Sequence, residues 1–184
     1  MTRFGSDKEQ YDAVTVLFHW ATAALVIALF GSAMAWSYAP RDWGFRSLET
    51  VHVSLGVTLS IVILARLLWR WTAGRRLADI GNPTQRVLAK LVHLVLYGLL
   101  VLQVALGFGL EWFGGESLSF FGMASIPSPF AENRDLSQQL EQLHGVVAWS
   151  LMVVVGGHAA AALWHRYVNK DAVLQRMLLS RTSG

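Results

Sequence analysis

Long uncharged apolar stretches alternate with short charged ones along this chain. Residues 13 to 40 pass without a charge, as do 50 to 65, 91 to 110 and 142 to 165, giving windows of 28, 16, 20 and 24 residues. About 20 apolar residues, at ~1.5 Å each, cross the hydrocarbon of a bilayer. The second window reaches that length once Leu67, Leu68 and Trp69 are added and the flanking arginines extend their heads outward. In lipid every backbone N–H and C=O must bond within its own segment, so such windows are helices. The pattern predicts an all-α membrane protein: a four-transmembrane-helix bundle with spans at about 13–38, 48–70, 88–111 and 138–166, within one domain over residues 1–184.

The connections are read more coarsely. Pro40 is expected to end the first helix, and Gly81-Asn82-Pro83 to break the loop between the second and third. Segment 111–141, with Gly114-Gly115, Pro127 and Pro129, is the long connection before the last helix. Asp135, followed three residues later by Gln138, reads as that helix's start. The tail carries Val173, Leu174, Met177 and Leu178 on one side and is expected either to lie at the membrane interface or to fray. Ser32-Ala33-Met34-Ala35 resembles a signal-peptide cleavage site. The apolar stretch before it is too long, however, and Asp7, Glu9 and Asp12 spoil the basic leader, so it reads as a retained span.

Composition agrees with a membrane protein. Apolar residues make up 54% and charged residues 15%, against about a quarter charged in soluble domains. The formal charge is +3, but the cations are unevenly placed. Arg66, Arg70, Arg75, Arg76, Arg86, Lys90, Arg166, Lys170, Arg176, Arg181, Arg3 and Lys8 fall on one side of the predicted membrane, against Arg41, Arg46 and Arg134 on the other. The positive-inside rule then puts both termini in the cytoplasm. The basic excess reflects topology and contact with the lipid bilayer, and no nucleic-acid partner is expected. The chain has no cysteine, which excludes disulfides, iron–sulfur clusters, thioether-attached haem and a thiolate haem ligand.

All six histidines fall in the windows, and an ionisable side chain at such depth is a functional candidate. Counted from the window edges, His19 and His158 lie about 9 and 12 Å from the cytoplasmic side, while His52 and His144 lie about 4.5 Å inside the opposite edge. His93 and His165 fall at the cytoplasmic rim, shallower than the first pair. His144, His158 and His165 are spaced 14 and 7 apart, near-whole numbers of turns, so one face of the last helix carries all three. Opposed imidazoles within a four-helix bundle suit a six-coordinate haem iron, and two such irons, bound by His19 with His158 and by His52 with His144, would form an electron path across the membrane. Gly56, Gly145, Gly156 and Gly157 would give the flat macrocycles room, or else allow ordinary close helix packing. Zinc is the competing metal, but its sites gather four ligands at one depth, often with carboxylate or thiolate, and no acidic residue lies inside a window.

Phe18-His19-Trp20, Val51-His52-Val53-Ser54 with Gly56, Leu91-Val92-His93, and Gly157-His158-Ala159-Ala160-Ala161 with His165 resemble the bacterial cytochrome b561 family over nearly the whole chain. The resemblance implies a multi-pass protein of the bacterial inner membrane holding two haem b groups non-covalently, with His19, His158, His52 and His144 as axial ligands. It implies one-electron transfer from a periplasmic donor to ubiquinone or another quinone as substrate. One branch resembles a superoxide oxidase, which would make the chain a quinone-linked oxidoreductase. Against superoxide, segment 111–141 sets Glu111, Glu116, Glu132, Asp135 and Glu141 against Arg134 alone, a poor approach for an anion unless Arg41, Arg46 and Arg134 form a local patch. His93, His165, Arg66 and Arg70, at the cytoplasmic rim, are the candidate quinone or proton-transfer residues. A different class remains open: a haem-bearing membrane anchor for a larger dehydrogenase or hydrogenase, with no substrate of its own.

Overall fold

The computed structural model describes residues 10–38 and 45–178, with the side chains of residues 45–47 outside that description. Helices α1 (Ala13–Tyr38), α2 (Phe45–Thr72), α3 (Pro83–Phe113) and α4 (Arg134–Trp164) are each long and apolar enough to cross a membrane, as the charge-free windows predict. α1 packs along α2 and α3 along α4, with lighter contact between α2 and α3. One core joins all four helices: Val26, Leu59 with Ile63, Leu100 and Leu151. Each of these lies between two of the polar positions that define the site, so the core is an apolar plug at mid-bundle. Ile27, Ile61, Leu64, Leu94 and Val153 point outward and are exposed. This is the inside-out economy of a lipid-facing bundle, where lipid covers the outer apolar surface.

The helix starts show why some sequence expectations were displaced. Asn82 caps α3 through a full capping box: its side chain accepts from Gln85 N–H at 2.9 Å, and Gln85 Oε1 accepts from Asn82 N–H at 2.9 Å, with Pro83 in the first turn. Gly81-Asn82-Pro83 is thus a helix start, and α3 begins five residues before the predicted 88. Asn133 caps α4 by accepting from Leu136 N–H at 3.1 Å. That corrects the start expected at Asp135. Pro40, Arg41, Arg3, Lys8 and Arg181 lie outside the described residues.

Asp12 ties three segments together. Its carboxylate accepts from Thr15 N–H at 2.8 Å and Thr15 Oγ1 at 2.7 Å in the first turn of α1, from Trp69 Nε1 of α2 at 2.9 Å, and from Arg75 N–H of the following loop at 3.0 Å. The tail folds onto the same end. After α4 comes a π-helical turn, His165–Asn169, closed by Lys170 in the left-handed conformation (φ 55°), and then a 3₁₀ turn, Gln175–Met177. Tyr11 N–H donates to Arg176 O at 3.2 Å, Trp20 Nε1 to Met177 O at 2.7 Å, and Arg176 Nη1 to Ala78 O at 2.6 Å. These bonds tie the described part of the tail, up to residue 178, onto the bundle; we call this the tail end of the bundle.

The opposite end holds a feature with no counterpart in the sequence reading, an antiparallel hairpin of β1 (Leu118–Phe120) and β2 (Ala124–Ile126). Phe121 (φ 49°) and Gly122 (φ 71°) turn the chain, and Met123 N–H bonds Phe120 O at 3.0 Å. Positive φ at both central positions is what a tight hairpin needs. Ser54 of α2, fully buried, anchors it by accepting from Phe121 N–H at 2.8 Å; its proton goes mainly to Thr50 O at 2.6 Å, shared with Ser119 O of the hairpin at 3.2 Å.

Candidate functional site

At the hairpin end, α2 and α4 bring His52 and His144 together with ring centroids 6.2 Å apart. Neighbouring helices hold each ring. Ser32 Oγ of α1 lies 2.9 Å from His52 Nδ1, and the Trp36 ring, one turn further along, is 6.4 Å from the same imidazole. Gln103 Nε2 of α3 lies 2.9 Å from His144 Nε2. The His144 ring is seated against Gly107, where an added Cβ would stand 3.2 Å from Cε1. Its Nδ1 is buried without a hydrogen-bond partner.

At the tail end, α1 and α4 bring His19 and His158 to a centroid separation of 6.3 Å. His144 and His158 thus both serve the interior from one face of α4, as their spacing predicts. Arg66 Nη2 is 3.3 Å from His19 Nδ1, and its guanidinium lies 5.2 Å above the Tyr97 ring. His93 of α3 is also here, its ring 5.4 Å from that of His158. That corrects the expectation of a shallower rim position. Because α3 starts at Pro83, His93 lies ten residues into the helix, and Lys90 does not mark its start: it reaches back to Asp79 at 2.9 Å.

The other rim residues are engaged separately. Arg70 sits 5.7 Å from the centroid of the Tyr11 ring and donates to Arg75 O at 3.1 Å. His165 Nδ1 pairs with Asp171 Oδ2 at 2.5 Å, with Asn169 Nδ2 at 3.3 Å. His165 closes α4 in α geometry, its N–H donating to Ala161 O, and the chain turns π-helical from there to Asn169. His93, His165, Arg66 and Arg70 line one end of the bundle, but no hydrogen bond joins any two of them among the described residues.

Three contacts escaped the sequence reading: Ser32, Gln103 and Gly107. Gln103 alone left a trace, as the one amide inside the third window. The glycines divide in an informative way. An added Cβ at Gly56, Gly145, Gly156 or Gly157 would meet nothing within 4 Å, so these glycines face open space and do not serve close helix contacts. Among the described residues no three His, Asp or Glu side chains converge as a site for a bare metal ion. Arg134 is spent on Glu132, with Nε–Oε1 at 2.5 Å, and so adds little positive field at the hairpin end.

The model of the prokaryotic cytochrome b561 family matches residues 10–180. The chain belongs to this family. It is 29% identical over 178 residues to cytochrome b561 homolog 2 of Escherichia coli (strain K12), covering 95% of this chain and 94% of that protein. It is 29% identical over 172 residues to the probable superoxide oxidase CybB of Yersinia pestis, covering 92% and 96%. It is 30% identical over 180 residues to cytochrome b562 of Cereibacter sphaeroides, covering 93% and 96%. As a b561 family member with four membrane-spanning helices, it is a multi-pass protein of the bacterial inner membrane whose function is electron transfer with haem b.

Proposed function

We propose that this cytochrome carries two haem b groups and passes one electron at a time from a periplasmic donor at its hairpin end to a quinone at its tail end, with both termini in the cytoplasm. His52 and His144 would hold one haem, His19 and His158 the other. The observation that carries the reading is the matched separation of the two pairs, 6.2 and 6.3 Å between ring centroids. Imidazoles on opposite sides of an iron, each at ~2 Å, have centroids about 6.3 Å apart. The orphaned Nδ1 of His144 and the open space at Gly56, Gly145, Gly156 and Gly157 agree with a flat group lying beside these rings.

Haem b supplies the one-electron chemistry when bound. The chain's own residues supply grip, spacing and a dry path. Neutral imidazoles bring nitrogen ligands into lipid without a stranded charge. The plug of Val26, Leu59, Ile63, Leu100 and Leu151 keeps water from the span between the two layers. Arg66 can only donate, so it holds Nδ1 of His19 while that nitrogen is unprotonated. With Nε2 as the ligand the proton would sit on Nδ1, and the guanidinium would then be free for a carboxylate such as a haem propionate. His93, beside His158, and His165, paired with Asp171, are the proton-handling groups for quinone, and Arg66 and Arg70 supply positive charge nearby.

Superoxide is the donor to test first, because a relative is named a probable superoxide oxidase. The deciding experiment is the ratio of haem to purified protein with an optical spectrum. Two haems per chain are expected, with His144→Ala removing one centre and His158→Ala the other; one haem in the unaltered protein would overturn the assignment. Reduction of the purified cytochrome by a superoxide source, with quinone as final acceptor, tests the donor. Unchanged quinone reduction in His93→Leu with His165→Leu would reject the quinone site.

A further inference from the structure

We infer that Ser32 is a positioning residue for the hairpin-end centre: it fixes which nitrogen of His52 faces the iron and makes this the centre of lower potential. The inference rests on the reading of His52 and His144 as axial ligands. The Ser32 hydroxyl has one proton, and it is given to Leu29 O at 2.9 Å within α1. With the proton on that carbonyl, Oγ offers only lone pairs toward His52 Nδ1, also at 2.9 Å, and we assign the hydrogen between them to Nδ1. A neutral imidazole has one N–H, so Nε2 keeps its lone pair, the form a metal requires. Trp36 limits the same ring from one turn along α1.

An N–H···O bond behind a ligating imidazole orients the ring and raises its basicity. A more basic ligand favours the oxidised iron, so the bond lowers the potential of the centre that His52 serves. The tail-end pair lacks this device. His19 Nδ1 faces Arg66, which cannot accept, and His158 makes no hydrogen bond among the described residues. With both haems bound, that asymmetry would favour passage of one electron from the centre held by His52 and His144, oxidised in the step, to the centre held by His19 and His158, reduced in it. No bond forms or breaks and no proton moves in that step.

The test is an optical redox titration of the purified holoprotein in lipid nanodiscs, with the hairpin-end centre identified as the one lost in His144→Ala. Ser32→Ala should raise the midpoint of that centre alone. The expected change is about tenfold in its oxidised-to-reduced balance, or about 59 mV for one electron. Ser32→Thr, which keeps the hydroxyl, should restore the original value. Unchanged midpoints in Ser32→Ala with both haems retained would overturn the proposal, as would equal shifts in the Ala and Thr variants. Should Ser32→Ala shed the hairpin-end haem, the Thr variant decides: retention at the original midpoint supports the role and loss overturns it. A wild-type protein lacking the hairpin-end haem sinks the ligand assignment and this inference with it, whereas two haems with an unmoved midpoint sinks this inference alone.

Discussion

Gln103 Nε2 of α3 meets His144 Nε2 of α4 at 2.9 Å, while Gln103 Oε1 and His144 Nδ1 are both buried with no hydrogen-bond partner. A buried polar atom without a partner costs about 1–3 kcal/mol. Two of them on one contacting pair mark a place where stability yields to another demand. Gly107, one turn after Gln103, removes the side chain that would otherwise occupy the space of the His144 ring. Together the amide and the glycine hold this imidazole against α3 and leave one of its nitrogens free.

Replacing Gln103 by Leu should therefore separate stability from haem retention. The change removes an unpaired carbonyl at similar volume but leaves His144 Nε2 without its partner, so the two effects oppose each other and the haem-free protein should melt within about 2 kcal/mol of the original. The hairpin-end haem should be held roughly tenfold more weakly, because the His144 ring loses the amide that braces it against α3. Haem transfer to excess apomyoglobin measures this; an unchanged transfer rate would mean that Gln103 does not hold the ring.

The glycines make a contrasting pair. Gly107→Ala puts a methyl 3.2 Å from His144 Cε1, so the ring must shift and the hairpin-end centre should be disturbed. Gly157→Ala meets no protein atom. It should leave the haem-free protein as stable as before, or better by up to about 1 kcal/mol from helix propensity, yet lower its affinity for haem if porphyrin lies there. Equal haem affinity in Gly157→Ala and the unaltered protein would show that the macrocycle lies elsewhere.

The sequence exposed what the membrane itself enforces. Lipid admits only helices, so the charge-free windows read directly as α1 to α4, and the fourteen-residue interval between His144 and His158 read as one face. What it hid depends on where a helix begins and on what crosses between helices. His93 lies deeper than its three-residue distance from Lys90 suggests, because α3 starts at Pro83 and Lys90, well inside the helix, turns back to Asp79 of the preceding loop. Ser32 looked like part of a cleavage motif; its role exists only because α1 packs along α2. The hairpin strands have three residues each and depend on Ser54, 65 residues away from its partner Ser119, which no local pattern could announce.

Asp12 should give the tail end an acid-sensitive stability. Burial alone would raise its carboxyl, but hydrogen bonds from the Thr15 side chain and backbone, from Arg75 N–H and from Trp69 outweigh that and hold it well below the usual carboxylate range. A depressed value means that the ionised form is favoured by folding. The contribution is complete above the ordinary value of 3.8 and drains away as the pH falls from there through the lower folded value. Asp12→Ala should cost about 1 kcal/mol at neutral pH, as loss of a helix cap does. The gap in melting temperature between the variant and the original should narrow below pH 4. A gap that stays constant down to pH 3 would show that the carboxylate's charge contributes nothing.

The hairpin end should slow superoxide at low salt. Segment 111–141 carries five acidic residues and one basic residue, and that one, Arg134, is already paired with Glu132. An anion approaching such a surface is repelled over roughly 30 Å at 0.01 M salt and about 10 Å at 0.1 M. Raising the ionic strength across that range should therefore increase the rate at which superoxide reduces the cytochrome, by about two- to tenfold. A neutral quinol donor should show no such dependence. Charge reversal of Glu116 and Glu141 to Lys should raise the low-salt superoxide rate and flatten its response to salt. A rate that instead falls with added salt in the unaltered protein would mean that the anion reaches the centre through a locally positive path, and Arg41 and Arg46 would then be the residues to replace.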